Sequence, residues 1–281
     1  MTAGQALVLG GGGVAGIAWM TGLLAGLADV EQDVTTGTDL VIGTSAGATV
    51  AAQLGSGLSL AALFARQVDP ALQSREIRAE VDWAKFAAEL QPYLEAARTP
   101  ADQLRKFGEF ALNAQTVPES ERRAVIESRL ATPDWPVTAT RLTAVDCGSG
   151  ELAVFDASSG IPVTDAVAAS CAVPGIWPPV TIGGRRYMDG GVRSSDNADL
   201  AAGAARITVI SPLGLNSPLP TPMPLADVLN ALKDSGAAVT MISPDEASAA
   251  AIGRNSLDPA TRVPAATAGR VQGRAGLPPA F

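Results

Sequence analysis

Apolar residues along this chain follow two periodicities. Short apolar runs, Ala6-Leu7-Val8-Leu9, Leu40-Val41-Ile42 and Arg206-Ile207-Thr208-Val209-Ile210, predict buried strands. Val14 to about Asp29 and Ala48 to Leu54 predict helices behind the first two. From Ser59 to about Ala131 the pattern is helical, with Trp83, Phe86, Ala87 and Leu90 at i, i+3, i+4 and i+7, and Leu104, Phe107 and Ala111 repeating the spacing. Glu119 to Arg123 opens a further helix with acids in its first turn. Arg141–Asp146 and Glu151–Phe155 predict two strands around the turn Cys147-Gly148-Ser149-Gly150. Val163 to Cys171 predicts a helix of small residues that ends before Pro174. Val180 to Met188 predicts a hairpin around Gly183-Gly184. A Pro-rich stretch, Pro212 to Pro224, leads into a helix around Leu225–Gly236, a last strand over Ala238–Ile242 and a helix from Asp245. From Arg254 onward Pro, Gly, Ala and Arg dominate, and the segment is open between a mobile tail and a docked irregular stretch.

The joins between strands and helices carry the candidate chemistry. Gly43-Thr44-Ser45-Ala46-Gly47 is G-x-S-x-G in a strand-turn-helix setting, which lifts a serine hydroxyl clear of the sheet at a helix N-terminus. Side chains at Gly43 or Gly47 would collide with neighbouring backbone. Gly10-Gly11-Gly12-Gly13 follows the first strand and opens the first helix, with Gly16 one turn on. Two uses of this run compete. As Gly11-x-Gly13-x-x-Gly16 it matches a dinucleotide fingerprint and would bind a flavin or nicotinamide cofactor. That use needs a carboxylate at the end of the second strand, where the serine turn stands instead. As an oxyanion hole, the amides of Gly11, Gly12 and Gly13 would face Ser45 from the adjacent strand end and stabilise a tetrahedral acyl intermediate. A third use keeps the fold as an interaction module with a degenerate site, against which the intact Ser45 and Asp189 stand.

Composition narrows these options. None of the 281 residues is histidine, so Ser-His-Asp triads and histidine-ligated metals are excluded. Twenty-eight acidic against twenty basic residues give a net charge of −8, which argues against nucleic acid as a partner. Cys147 and Cys171 cannot form a zinc site alone and are expected as buried, reduced thiols. No basic region opens the N-terminus, and the apolar stretch Val14–Ala28 is too short to span a bilayer. A soluble cytoplasmic protein is expected. Seven of the twelve aromatics lie between Phe64 and Trp135, most of them expected in the core and one or two over an apolar pocket.

If Ser45 is a nucleophile, its base is not histidine. Asp189-Gly190-Gly191, at the end of the hairpin, places a carboxylate where glycines let two backbones approach. Asp146 also follows a strand, but its place before Cys147-Gly148 suits a turn-starting aspartate. In this order and setting, Gly11-Gly12-Gly13-Val14-Ala15-Gly16, Gly43-Thr44-Ser45-Ala46-Gly47 and Asp189-Gly190-Gly191 resemble the patatin-like phospholipase family of bacterial-type lipid acyl hydrolases. Ala169-Ser170-x-Ala172-x-Pro174 is also similar to the family. The resemblance covers about Ala6 to Ile210. It implies a three-layer α/β fold, a central mostly parallel sheet flanked by helices, over residues 1–253, with a helical cap at about 59–131 and residues 254–281 outside it. It implies a Ser45–Asp189 dyad, an oxyanion hole of Gly11, Gly12 and Gly13, and supporting roles for Gly16, Gly43, Gly47, Gly190 and Gly191. It further implies hydrolysis of carboxylic esters of lipids without metal or cofactor, and transient contact with a membrane surface. Where the family usually carries a basic residue this chain has Ala15, which leaves phospholipid and neutral ester substrates both open.

Overall fold

A computed structural model describes residues 4–79, 81–215 and 219–278. The first three residues considered for a leader, the middle of the Pro-rich stretch and the last three residues of the tail lie outside the described residues. Eight strands are described: β1 (Gln5–Leu9), β2 (Leu40–Thr44), β3 (Ala139–Asp146), β4 (Leu152–Phe155), β5 (Val180–Ile182), β6 (Arg185–Asp189), β7 (Arg206–Ile210) and β8 (Ala238–Ile242). The helices are α1 (Gly13–Asp29), α2 (Ala46–Leu54), α3 (Leu60–Val68), α4 (Trp83–Ala96), α5 (Pro100–Asn113), α6 (Glu119–Arg129), α7 (Val163–Ser170), α8 (Leu225–Asp234), α9 (Glu246–Ile252) and α10 (Arg262–Arg274).

The sheet runs β5-β6-β3-β2-β1-β7-β8, with β4 paired to β3 off this path. Its centre is parallel, from β3 through β2, β1 and β7 to β8, while β4, β5 and β6 join antiparallel. The central strands read as continuous apolar runs because both faces are covered. Leu7 and Leu9 of β1 pack with α1 and α2 on one face, and Ala6 and Val8 pack with Val228, Leu229 and Leu232 of α8 on the other. The expected three-layer α/β architecture is therefore present. Every residue of α1 from Val14 to Leu27 is buried, so this helix is apolar all round rather than amphipathic.

The long helical stretch divides into different layers. α3 packs on α1 and α10, whereas Leu90, Leu104, Phe107 and Phe110 of α4 and α5 form a separate cluster against Val145 and Met188. The segment after Arg254 differs from the irregular tail or docked stretch considered above. It holds a helix, α10, laid along α1 at backbone contact. A Cβ on Gly22 would meet the Ala266 carbonyl oxygen, and one on Gly269 that of Trp19. Ala265, Ala266, Gly269 and Gly273 form the buried small face that permits this approach. Pro264 sits in the first helical turn, where no amide donor is needed, so it does not break the helix. No described helix is long and apolar enough to cross a membrane.

Candidate functional site

β1 and β2 are parallel neighbours with Leu9 opposite Gly43, so the two glycine turns emerge side by side at the same sheet edge. Ser45 stands between β2 and α2 with φ 55° and ψ −114°. A non-glycine residue there stores roughly 1–3 kcal/mol of strain and is held by its surroundings. Three holders are visible. Its N–H donates to Ser170 Oγ at 2.8 Å, its carbonyl accepts from Cys171 Sγ at 3.2 Å, and it caps α2. The flanking glycines are required by close approach. A Cβ on Gly43 would come within 2.7 Å of Ala48 Cα, and one on Gly47 would run into the Leu9 carbonyl oxygen. Gly16 lets α1 lie against Pro212 and Ala46, with 3.3 and 3.4 Å left for a Cβ.

Asp189 ends β6 opposite Ala144 of β3, and its N–H donates to the Ala172 carbonyl at 2.9 Å. The end of α7 and the turn that follows it therefore fix both residues: Ser170 and Cys171 hold Ser45, and Ala172 holds Asp189. Asp189 is 4 % exposed. Oδ1 accepts the Gly191 N–H at 2.8 Å, while Oδ2 is buried without a completed hydrogen bond. Burial pushes the carboxyl up to about 7; the adjacent Ser45 hydroxyl and the Gly191 amide oppose this by favouring the ionised form. The Ser45–Asp189 pair is thus adjacent but not closed into a tight hydrogen bond, as is common before substrate binds. Gly190 packs on Thr143, where a Cβ would lie 2.5 Å from Oγ1.

The glycine run departs from expectation at one position. The Gly11 N–H donates to the Ser195 carbonyl at 2.8 Å, so it is not a free donor. Gly11 nonetheless lies close to Ser45: a Cβ there would be 3.6 Å from Ser45 Cβ. The N–H groups of Gly12 and Gly13 make no hydrogen bond to described residues, and neither does that of Ala46. The N-termini of α1 and α2, which flank Ser45, thus carry donors with no partner among the described residues. No carboxylate stands at the end of β2, where Thr44 and Ser45 are found, so nothing supports a dinucleotide at the glycine run.

Ser45, Asp189 and Gly11, Gly12 and Gly13 line one cavity of about 630 Å³. Its walls are mainly apolar, with Phe86, Leu90 and Leu94 from α4, Pro174, Leu213 and Leu257. A larger hollow of about 750 Å³ lies across Phe86 and Ile176, but neither Ser45 nor Asp189 reaches it. Asp146 is elsewhere too. Its Oδ1 accepts the N–H groups of Gly148 and Ser149 at 2.9 and 2.8 Å, as a turn-starting aspartate does. Cys147 and Cys171 are buried free thiols, and burial pushes both up, Cys147 to about 12.

Sequence reasoning missed the residues that brace this site. Asn197, at φ 49°, donates from Nδ2 to Gly190 O at 3.2 Å, Ser194 O at 2.9 Å and Thr44 Oγ1 at 3.1 Å. It ties the end of β2 to the turn after Asp189. Asp196 is fully buried beside Gly10, takes the Ser195 hydroxyl, and is pushed by burial up to about 6. Only the Ser170 position carried a signal, in Ala169-Ser170-x-Ala172-x-Pro174.

Residues 7–202 match the family described as patatin-like phospholipase. No curated protein sequence matches the chain. Among solved structures, VipD from Legionella pneumophila is similar over 96% of this chain and 66% of its own, at 13% identity and a TM-score of 0.47. The type III effector ExoU is similar over 97% of this chain and 53% of its own, at 17% identity and a TM-score of 0.38. Full-length ExoU from Pseudomonas aeruginosa in complex with SpcU gives 16% identity and a TM-score of 0.37. The chain spans just under two thirds of VipD and about half of ExoU.

Proposed function

The chain belongs to the patatin-like phospholipase family, and we propose that it is a serine acyl hydrolase that cleaves carboxylic esters of lipids through Ser45 and Asp189. The observation that carries this is a serine in a strained strand-turn-helix corner, beside a buried carboxylate raised to about 7, in one apolar cavity. A serine hydroxyl is a weak nucleophile until a base takes its proton. An ordinary aspartate is too acidic to do so well near neutral pH, and burial removes that handicap.

In this reading Ser45 Oγ attacks the ester carbonyl carbon as its proton passes to Asp189. The carbonyl electron pair moves onto oxygen, where the free Gly12 and Gly13 amides stabilise it. A single such donor is typically worth about 3 kcal/mol. Collapse restores the carbonyl, breaks the bond to the alkoxy group, and returns the proton from Asp189 to the leaving alcohol. Water repeats the sequence on the acyl-enzyme. The acyl chain lies along Phe86, Leu90 and Leu94, and the exposed Trp83 on the cavity wall gives a lipid an apolar edge to enter by.

Labelling with a fluorophosphonate probe tests nucleophile, activation and oxyanion stabilisation together. The folded wild type is expected to label and to hydrolyse a short-chain ester. Ser45→Ala is expected to lose both while keeping its thermal transition. Undiminished hydrolysis by folded Ser45→Ala would sink the assignment.

A further inference from the structure

Behind Ser45 the fold buries more positive charge than it neutralises. Glu76, with 4% of its side chain exposed, is the carboxylate at the centre of three buried arginines. Arg129 takes both its oxygens, Nε to Oε1 at 2.9 Å and Nη2 to Oε2 at 2.6 Å. Arg262 Nη2 takes Oε1 at 2.7 Å and Nη1 takes the Ser74 carbonyl at 3.0 Å. Arg122 is left over. Its closest approach to Glu76 is 4.0 Å, and its Nε and Nη1 are buried with no hydrogen-bond partner among the described residues. The guanidinium lies over the Trp177 ring at 3.8 Å, and burial, then repulsion from Arg129, pull it down to about 9. It is still charged at neutral pH. The neighbouring Cys171 thiol does not neutralise it, because burial holds that thiol protonated.

A buried cation that reaches its carboxylate only at 4.0 Å and leaves two nitrogens without a hydrogen bond is costly unless an anion visits it. There is a place for one. Arg122, Gly13, Ser45, Ala46, Cys171 and Trp177 line a recess of about 20 Å³. That is room for one water-sized atom. The recess shares Gly13, Ser45, Val173 and Leu257 with the main cavity, so it adjoins the reacting serine. Gly13 and Ala46, the first residues of α1 and α2, belong to the same lining, and their N–H groups make no hydrogen bond to described residues.

We propose that this recess is a single-atom anion subsite, charged by Arg122, that receives the ester oxygen as it turns negative. The inference rests on Ser45 being the nucleophile. When the Oγ–carbon bond forms and the proton moves to Asp189, the carbonyl pair becomes an oxyanion. Arg122 then supplies a full charge where backbone amides supply partial ones. A free halide ion is the other source of the same chemistry, and it provides an independent probe.

Arg122→Met keeps the apolar stem against Trp177 and removes the charge. On folded protein and a short-chain ester, kcat is expected to fall about tenfold or more. KM is expected to stay within about twofold, the signature of an interaction made mainly in the transition state. Arg122→Lys is expected to recover part of the lost kcat. A merely structural role would lower thermal stability in both variants and leave kcat of the folded fraction alone. Bromide gives a readout apart from turnover: anomalous diffraction from soaked wild-type crystals is expected to place it in the recess, and Arg122→Met crystals are expected to lack it. Wild-type kcat in folded Arg122→Met, or an empty recess in soaked wild-type crystals, overturns the proposal. Ser45→Ala that still hydrolyses would instead overturn the nucleophile, a failure the bromide result does not depend on.

Discussion

In the proposed dyad Asp189 takes the place of a histidine, which this chain does not have, and its carboxylate would meet Ser45 directly. Asp189→Asn is expected to lose at least about two orders of magnitude in kcat, because an amide cannot accept the proton. Asp146→Asn, whose carboxylate holds only the turn at Gly148 and Ser149, is expected to keep most of it. The comparison is made with one ester on folded variants, and the reverse pattern would move the dyad to Asp146. Acidity gives a second check. A base works only when ionised, so kcat/KM is expected to rise through an apparent pKa near 7. A pH–rate profile that stays flat from pH 5 to 8 would remove Asp189 from the role. Stability should run the other way. A carboxyl raised from 3.8 to about 7 favours folding below its unfolded value and loses that contribution as pH climbs through the folded one. Asp189→Asn cannot titrate, so its Tm minus that of the wild type is expected to grow from pH 5 to pH 8. Ser45, Asp189 and their glycines were legible in the sequence because tight turns demand particular residue types at fixed spacing. Asn197 was not, since its hydrogen bonds reach Thr44 from 153 residues away and no local pattern encodes them. Nor did the sequence reveal that the Gly11 amide is spent on Ser195.

The turn after β1 and the helix α4 act as the floor and one wall of the cavity. Gly12 packs so closely that a Cβ would lie 2.5 Å from Pro212 Cβ and 3.1 Å from Gly16 Cα. Gly12→Val is therefore expected to push the turn off its seat and cut turnover at least tenfold while far-ultraviolet circular dichroism changes little, the loss of one aligned donor being about 3 kcal/mol. Full activity in a folded variant would mean that these amides face nothing. The apolar wall of α4 leads to a different measurement. Esters from two to eight carbons are expected to show rising kcat/KM, by at most about 0.8 kcal/mol for each added methylene that is buried. A flat profile would say that the cavity does not hold the acyl chain. The helical period of residues 59–131 was plain in the sequence, but periodicity names a buried face and not its partner. So α3, which lies on α1, looked the same as α4, which lines the cavity.

Across the whole molecule the first and last described helices are one structural unit. Gly22 and Gly26 of α1 face Ala266 and Arg270 of α10 without room for a methyl group. Gly269→Val is expected to cost about 1–3 kcal/mol by forcing these backbones apart, measured by chemical denaturation. An unchanged midpoint would show that the helices part easily. Residues 262–274 read as irregular because Pro264, Gly269 and Gly273 weaken helix propensity, while the smallness of Ala265, Ala266, Gly269 and Gly273 is what lets the helix dock. The loop before α10 also reaches the candidate site, since the Ser256 carbonyl accepts the Ala15 N–H at 2.9 Å and Leu257 lines the cavity. This arrangement has a consequence for biosynthesis. α1 leaves the ribosome early, yet the partner that covers it is translated more than two hundred residues later. At 5–20 residues per second the face of α1 that α10 covers waits on the order of ten to fifty seconds unclaimed. A nascent chain arrested before Arg254 would hold Ser45 and Asp189 but not Ser256 or Leu257, so the lining of the candidate cavity is complete only once translation has passed Leu257.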